Sequence, residues 1–335
     1  MLPPDCLNRS MGLAKREMPR PRVSVLMITY NHERFIQQAI EGVIMQKPDF
    51  DIELVVGEDK STDKTRAVVE RLTAQYPSVM RPIYHEKNVG VARNHMTCLQ
   101  ACRGEYIAYC EGDDYWTDPD KLQKQVSFLD TNPDYVMCFH RERVWHELTH
   151  EMKDTIPWHD LRDTYELEDV LCECFIPTGS VCYRRQALKA IPAWALEVES
   201  GDMCIYALLA MHGKIKFFPD VMAVYRVHPG GISNLYVGWR RLNGRLYLWN
   251  SLEQHLGDKY RFRLRLAKAN EYAWLYHRLA EKQQHSLRRW AGMVYCKLMS
   301  AWYRRPPGIG GVIMHLWQGV KRTVHHVTGG QWVGR

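Results

Sequence analysis

The stretch VSVLMITYNHERFIQQAIEGVIMQ, residues 23–46, changes its hydrophobic period part-way along, and that change decides the fold class. Val23–Tyr30 is a β-branched, mostly apolar run that reads as a strand buried on both faces. From Glu33 to Gln46 the apolar residues Phe35, Ile36, Ala39, Ile40, Val43 and Ile44 recur at helical spacing. The unit then repeats. Ile52–Val56 is a second strand, followed by a helix with Val68, Val69 and Leu72 on its buried stripe, ending before Pro77. Arg81–His85 reads as a third strand, Val89–Ala101 as a helix, Glu105–Cys110 as a fourth strand, and Lys121–Leu129, after Pro119, as another helix. Alternation at this pace predicts an α/β fold, a Rossmann-like, mostly parallel sheet flanked by helices. Beyond it the pattern loosens: Tyr135–Phe139, Ser180–Tyr183 and Lys214–Phe218 read as strands, Cys204–Met211 as a helix, and everything from Trp239 as helical.

The net charge of +7 over 335 residues conceals a split. Residues 1–239 hold 27 Lys/Arg against 34 Asp/Glu, and residues 240–335 hold 18 against 4. With the strand–helix pattern, this divides the chain into a flexible leader (1–21), an α/β domain (22–238) and a basic, aromatic-rich helical extension (239–335). Such an extension suits the surface of an anionic bilayer, or else packs its aromatics inward and leaves a solvated basic face. No nucleic-acid-binding motif accompanies the charge, so nucleic acid is not expected as a partner. No run reaches the roughly 18 apolar residues of a membrane span. The ten cysteines are irregularly spaced, without a CxxC pair, and Met1–Arg22 lacks the apolar core of a secretion signal. Reduced thiols and a cytoplasmic location, with peripheral contact at the inner face of the membrane, are therefore expected.

In open α/β sheets ligands bind beyond the carboxyl ends of the strands. Polar groups gather there: Thr29-Tyr30-Asn31 after the first strand, Glu58-Asp59 after the second, and Glu111, Asp113 and Asp114 after the fourth. Three carboxylates that close repel one another, more so if buried. Either a divalent cation sits among them, its remaining oxygens supplied by a phosphate, or the segment is an acidic turn before the helix that Asp118 and Pro119 introduce. On an extended chain Glu111 and Asp113 would share one pocket while Asp114 faces away. In GEDKSTDKT, residues 57–65, Ser61 or Thr62 would cap the next helix, worth about 1 kcal/mol. That leaves Glu58 and Asp59 for a base or ribose.

Four stretches in order, VSVLMITYNHERFIQQAIEGV, GEDKSTDKT, NVGVARNH and EGDDYW, resemble family 2 glycosyltransferases, inverting enzymes of the GT-A fold. The resemblance is strong over residues 22–130 and looser over 175–235. It implies that Thr29, Tyr30 and Asn31 lie near the nucleotide, and that Asp59, with Glu58 beside it, holds the base, usually uracil. Asn88, Gly90 and Arg93 would line the nucleotide and its phosphates. Glu111-Gly112-Asp113 resembles the DXD motif, with Asp113 ligating Mn²⁺ or Mg²⁺, Glu111 facing the ribose or a metal-bound water, and Asp114 adjoining. Glu111 stands where the family commonly has Asp.

In Ser200-Gly201-Asp202-Met203 the resemblance makes Asp202 the general base, with Gly201 in place of the usual first acid and Glu199 as a substitute. Asp202 is equally a good helix N-cap. Within Tyr225–Gly231, His228 would complete the metal shell; His146 and His150, one helical turn apart, read as surface. The activity implied is transfer of a sugar from a nucleoside-diphosphate donor, UDP by family habit, to a glycan or lipid-linked acceptor in bacterial cell-surface polysaccharide biosynthesis. Two alternatives remain. A nucleotidyltransferase would need a glycine-rich loop after the first strand, which TYNHERF lacks. A catalytically inactive nucleotide-sugar-binding protein is favoured by Gly201 and opposed by Asp113.

Overall fold

The computed structural model describes residues 20–154, 162–171, 175–198, 201–235, 237–281 and 287–304. Most of the expected leader, Glu199, Cys172, Cys174 and the end of the basic extension lie outside them.

The strands are β1 (Val23–Thr29), β2 (Ile52–Glu58), β3 (Met80–Tyr84), β4 (Tyr106–Tyr109), β5 (Tyr115–Trp116), β6 (Tyr135–His146), β7 (Glu151–Asp154), β8 (Thr164–Tyr165), β9 (Cys182–Arg184) and β10 (Lys214–Val227). The helices are α1 (Ile36–Ile44), α2 (Thr65–Gln75), α3 (Val91–Ala101), α4 (Lys121–Thr131), α5 (Leu167–Val170), α6 (Gly201–Ala210), α7 (Ile232–Leu235), α8 (Gly238–Leu256), α9 (Arg261–Glu281) and α10 (Leu287–Arg304). They form one mixed sheet in the order β3-β2-β1-β4-β9-β6-β10-β5, with β7 on β6 and β8 on β10.

Strand β1 explains its own apolar composition. Val23, Val25 and Met27 face one layer with Ile36 and Ile40 of α1, while Leu26 faces the other with Cys98 and Leu99 of α3. A strand covered on both faces has no polar side to show. Gly57 lets α3 approach β2, since a Cβ there would collide with Asn94 and Cys98.

β1 pairs in parallel with β2 on one side and β4 on the other, and the chain runs out to β3 before returning to β4. The ends of β1 and β4 therefore diverge at a topological switch point, where such sheets open a crevice. The parallel expectation holds through β3-β2-β1-β4 and for β6 with β10, but β9 runs antiparallel to both β4 and β6. β6 and β10 also continue well past the apolar runs that announce them, β10 through irregularities near Val221. His146 ends β6 and His150 lies in the turn to β7, not on a helix as their spacing suggested.

The described part of the extension packs inward. Leu248, Trp249 and Leu252 of α8 and Leu264 and Ala267 of α9 share one buried cluster with Ile205 and Leu209 of α6. A second cluster, including Leu242, Tyr272, Leu275, Tyr295 and Met299, joins α8, α9 and α10. Its scarce acids pair with basic neighbours: Glu271 with Arg241 at 3.1 Å, Glu253 with Lys268, Asp258 with Arg261. Among the described residues no helix is long and apolar enough to cross a membrane.

Candidate functional site

A cavity of about 460 Å³ opens at the switch point, lined by Thr29 and Tyr30 from the end of β1, Asp59 after β2, Glu111, Asp113 and Asp114 after β4, and Asp202 in the first turn of α6. Its other wall is largely apolar, including Val91 and Met96 of α3 and Ile205 of α6. A larger cleft, about 930 Å³, lies at the amino-terminal edge of the sheet around Arg22, Asp51 and Glu105, and none of the expected site residues lines it.

The loops after β1 and β2 are knitted together. Asn31, at φ 57°, accepts from the Thr62 amide through Oδ1 at 2.8 Å and donates its own amide to Ser61 Oγ at 3.0 Å. The His32 amide donates to Thr65 Oγ1 at 2.8 Å and the Glu33 amide to Asp63 Oδ2 at 3.0 Å. Ser61 and Thr62 therefore do not cap α2, whose N-cap is Lys64. They fasten the exit of β1 instead.

Glu58 is fully buried; it accepts from the Ser61 amide at 2.6 Å and pairs with Arg66, so it stands behind the cavity and outside its lining. Asp59 does line it. Its two oxygens accept from the amides of Val89 at 2.7 Å and Gly90 at 2.9 Å, while Asn88 Nδ2 donates to its carbonyl. Asn88 and Gly90 thus position Asp59 from outside the lining, with Gly90 in the left-handed region at φ 84°. Arg93 is exposed on α3, also outside the lining.

Residues 111–114 form a tight turn, the Asp114 amide donating to the Glu111 carbonyl at 3.1 Å, and not the extended segment of the sequence-based expectation. Gly112 permits it: a Cβ there would lie 2.8 Å from the Thr29 side chain and 2.9 Å from the Ile28 carbonyl oxygen. Asp114 is turned inward, 3% exposed, and accepts from the Arg226 amide at 2.7 Å. Arg226 also donates to the Asp113 carbonyl at 2.6 Å, so β10 clamps the turn. Burial, reinforced by neighbouring carboxylates, pushes the Glu111 carboxyl up to about 8. Asp113 goes the other way: burial opposes its ionisation, but the hydrogen bond with His228 and the charge of His32 outweigh it and hold its carboxyl below the usual range.

His228 Nε2 lies 3.0 Å from Asp113 Oδ2, and His32 Nε2 lies 3.7 Å from the same oxygen. Asp202 accepts from Thr178 Oγ1 at 3.1 Å through Oδ2 and from the Met203 amide at 2.8 Å through Oδ1. It is a first-turn residue of α6, not the residue before the helix. His32, Thr178 and Arg226 are the participants that sequence reasoning missed. His32 directly follows Thr29-Tyr30-Asn31 and Arg226 stands two before His228, so both were within reach; nothing in the sequence marks Thr178.

Residues 24–191 match the glycosyl transferase family 2 profile, half of the chain. The chain belongs to this family. The uncharacterized Mycobacterium tuberculosis protein Rv1520 is 41% identical over 211 residues, covering 63% of this chain, which in turn spans 60% of that relative's length. Among solved structures, Staphylococcus aureus TarS 1–349, determined in complex with UDP-GlcNAc, superposes with a TM-score of 0.64 at 16% identity, covering 85% of this chain and 82% of its own. The mannosyltransferase PcManGT from Pyrobaculum calidifontis, in complex with GDP-Man and Mn²⁺, gives 0.56 at 18% identity, covering 94% and 88%. At those identities the likeness is one of fold, the GT-A fold.

Proposed function

We propose that this protein transfers a sugar, with inversion, from a nucleoside-diphosphate donor to a hydroxyl of a glycan or lipid-linked acceptor in cell-surface polysaccharide biosynthesis. The observation that carries the reading is the convergence of Asp59, Asp113 and Asp202, from three separate elements, on one cavity. Family membership supports it, as do the nucleotide-sugars bound by TarS and PcManGT and the Mn²⁺ bound by the latter. Uridine as the nucleotide rests on the resemblance of Asp59 to the family's base-holding carboxylate.

Asp113 and His228 suit a divalent cation: an ionised carboxylate and an imidazole nitrogen 3.0 Å apart, on elements that Arg226 locks together. When bound there, such a cation stabilises the charge that develops on the diphosphate. Asp59 and Tyr30 take the nucleoside side of the cavity. Asp202, oriented by Thr178, accepts the proton of the acceptor hydroxyl. The acceptor oxygen bonds to C1 from the face opposite the diphosphate, and the bond from C1 to the phosphate oxygen breaks. The nucleoside diphosphate leaves with that electron pair. One displacement inverts the anomeric centre and needs no enzyme-bound intermediate.

The test is nucleoside-diphosphate release from a panel of nucleotide-sugars, with Mn²⁺, with Mg²⁺ and with EDTA, alongside binding of the same panel. Metal-dependent release from one donor, lost in Asp113→Asn, is expected. Binding without release under any acceptor would favour the inactive sugar-nucleotide-binding alternative, and absence of binding would overturn the proposal.

A further inference from the structure

We infer that His32 is a third protein ligand to the divalent cation, making the centre a set of two histidines and one carboxylate that takes Mn²⁺ in preference to Mg²⁺. The inference rests on the cation reading above and extends it to a residue on a different strand exit.

The ligand atoms of His32, Asp113 and His228 all lie within 4.8 Å of one another. His32 Nε2 points at Asp113 Oδ2 from 3.7 Å, too far for a hydrogen bond. Its other ring nitrogen, Nδ1, is buried with no hydrogen-bond partner. An imidazole that faces a carboxylate while neither of its nitrogens is hydrogen-bonded within the described residues is an incomplete arrangement, since buried polar atoms are ordinarily paired. A cation between His32, Asp113 and His228 gives Nε2 its partner, while Nδ1 stays without one among the described residues.

The ring is also held in place. The His32 amide is bound to Thr65 Oγ1, and the His32 carbonyl accepts from the amides of Phe35 and Ile36 at 2.9 Å each. The His32 and His228 rings meet edge to face at 5.9 Å, and His228 packs on Phe35 with ring centroids 4.7 Å apart. The exit of β1, fastened by the loop after β2, thus presents one histidine, and the residue following β10 presents the other, to the same oxygen of Asp113. Mg²⁺ demands oxygen donors and sheds its waters reluctantly, so replacing two of them by imidazoles costs it more than it costs Mn²⁺, the first of the transition-metal affinity series. Two histidines and one carboxylate leave the remaining coordination positions open, as a centre that must also meet a diphosphate requires.

The experiment is electron paramagnetic resonance of Mn²⁺ bound to the full chain with UDP, using protein labelled with ¹⁵N-histidine. Two histidine nitrogens coupled to Mn²⁺ are expected in the wild type, and one in each of His32→Ala and His228→Ala. Mn²⁺ affinity should fall roughly tenfold or more in His32→Ala, and Mg²⁺ should then displace Mn²⁺ at a lower excess. The wild-type count does not depend on how any variant folds. A single coupled nitrogen, kept in His32→Ala and lost in His228→Ala, would overturn the inference while leaving the cation reading intact; His32 would then serve the donor's phosphates as a hydrogen-bond donor. No Mn²⁺ bound to the wild type would overturn both.

Discussion

At Asp202 one oxygen is engaged by Thr178 Oγ1 and the other by the amide that follows it, so among the described residues the carboxylate is aimed without a cationic partner at hydrogen-bond distance. The proposed general base needs that condition, and Asp202→Asn would remove the base while keeping the shape. Turnover should drop by about 10²–10⁴-fold with donor affinity unchanged, as steady-state rates and donor titration would show; a parallel loss of donor binding would assign Asp202 a binding role. A second carboxylate gives a pH signature in stability. Glu142 of β6 is 2% exposed, and burial, partly opposed by Lys121, raises its carboxyl from 4.5 to about 8. The folded chain keeps a proton there that the unfolded chain releases, so stability falls as pH rises from about 4.5 to about 8. In Glu142→Gln that fall should be shallower, by on the order of a few kcal/mol across the window. Melting curves at pH 5, 6.5 and 8 that stay parallel for the two proteins would refute it. That Asp59 and Asp113 line the cavity could be anticipated from the strand ends visible in hydrophobic period, and Asp202 from the family resemblance. His32 stood within reach, directly after Asn31, yet a lone histidine acquires meaning only when folding brings it beside Asp113 and His228, far along the chain.

Among the elements, the turn after β4 depends most on a single residue. Gly112 sits where any Cβ would press on Thr29 and the Ile28 carbonyl, both on β1, so the exits of β1 and β4 touch there. Gly112→Ala must push the turn away from β1 and carry Asp113 with it. The expected cost is roughly 1–3 kcal/mol of stability, the range for overpacking, together with weakened Mn²⁺ binding; calorimetry and metal titration would read the two separately. Unchanged metal affinity alongside lost stability would mean that the turn relaxes without moving Asp113. The early strands were legible because each is buried on both faces and so apolar throughout. β6 and β10 were read too short for the opposite reason: polar residues such as His140 and Glu142 are buried in β6, and Pro219-Asp220 interrupts β10, so an apolar-run criterion stops early. The antiparallel β9 is only three residues long. Its direction is set by the neighbours it bonds and leaves no trace in its composition.

Over the whole molecule, the described part of the extension shares its core with the sheet domain. Trp249 and its neighbours on α8 and α9 share a buried cluster with α6, the helix that carries Asp202, so the proposed general base and these helices stand on the same packing. The aromatics that suggested a bilayer surface are in part spent there, which leaves the charge. With 18 Lys/Arg against 4 Asp/Glu after residue 239, and three of those acids already paired, the excess is cationic and suits an anionic surface. Contact of this kind would be electrostatic more than inserted, and the two differ in their response to salt. The protein should sediment with vesicles rich in anionic lipid, fail to sediment with neutral ones, and be released as salt rises past roughly 0.5 M, where screening shortens to a few ångströms. Equal binding to neutral vesicles would point to inserted aromatics instead. Absence of binding to either would leave the charge as a solvated face, and a lipid-linked acceptor would then have to reach the cavity without help from the extension.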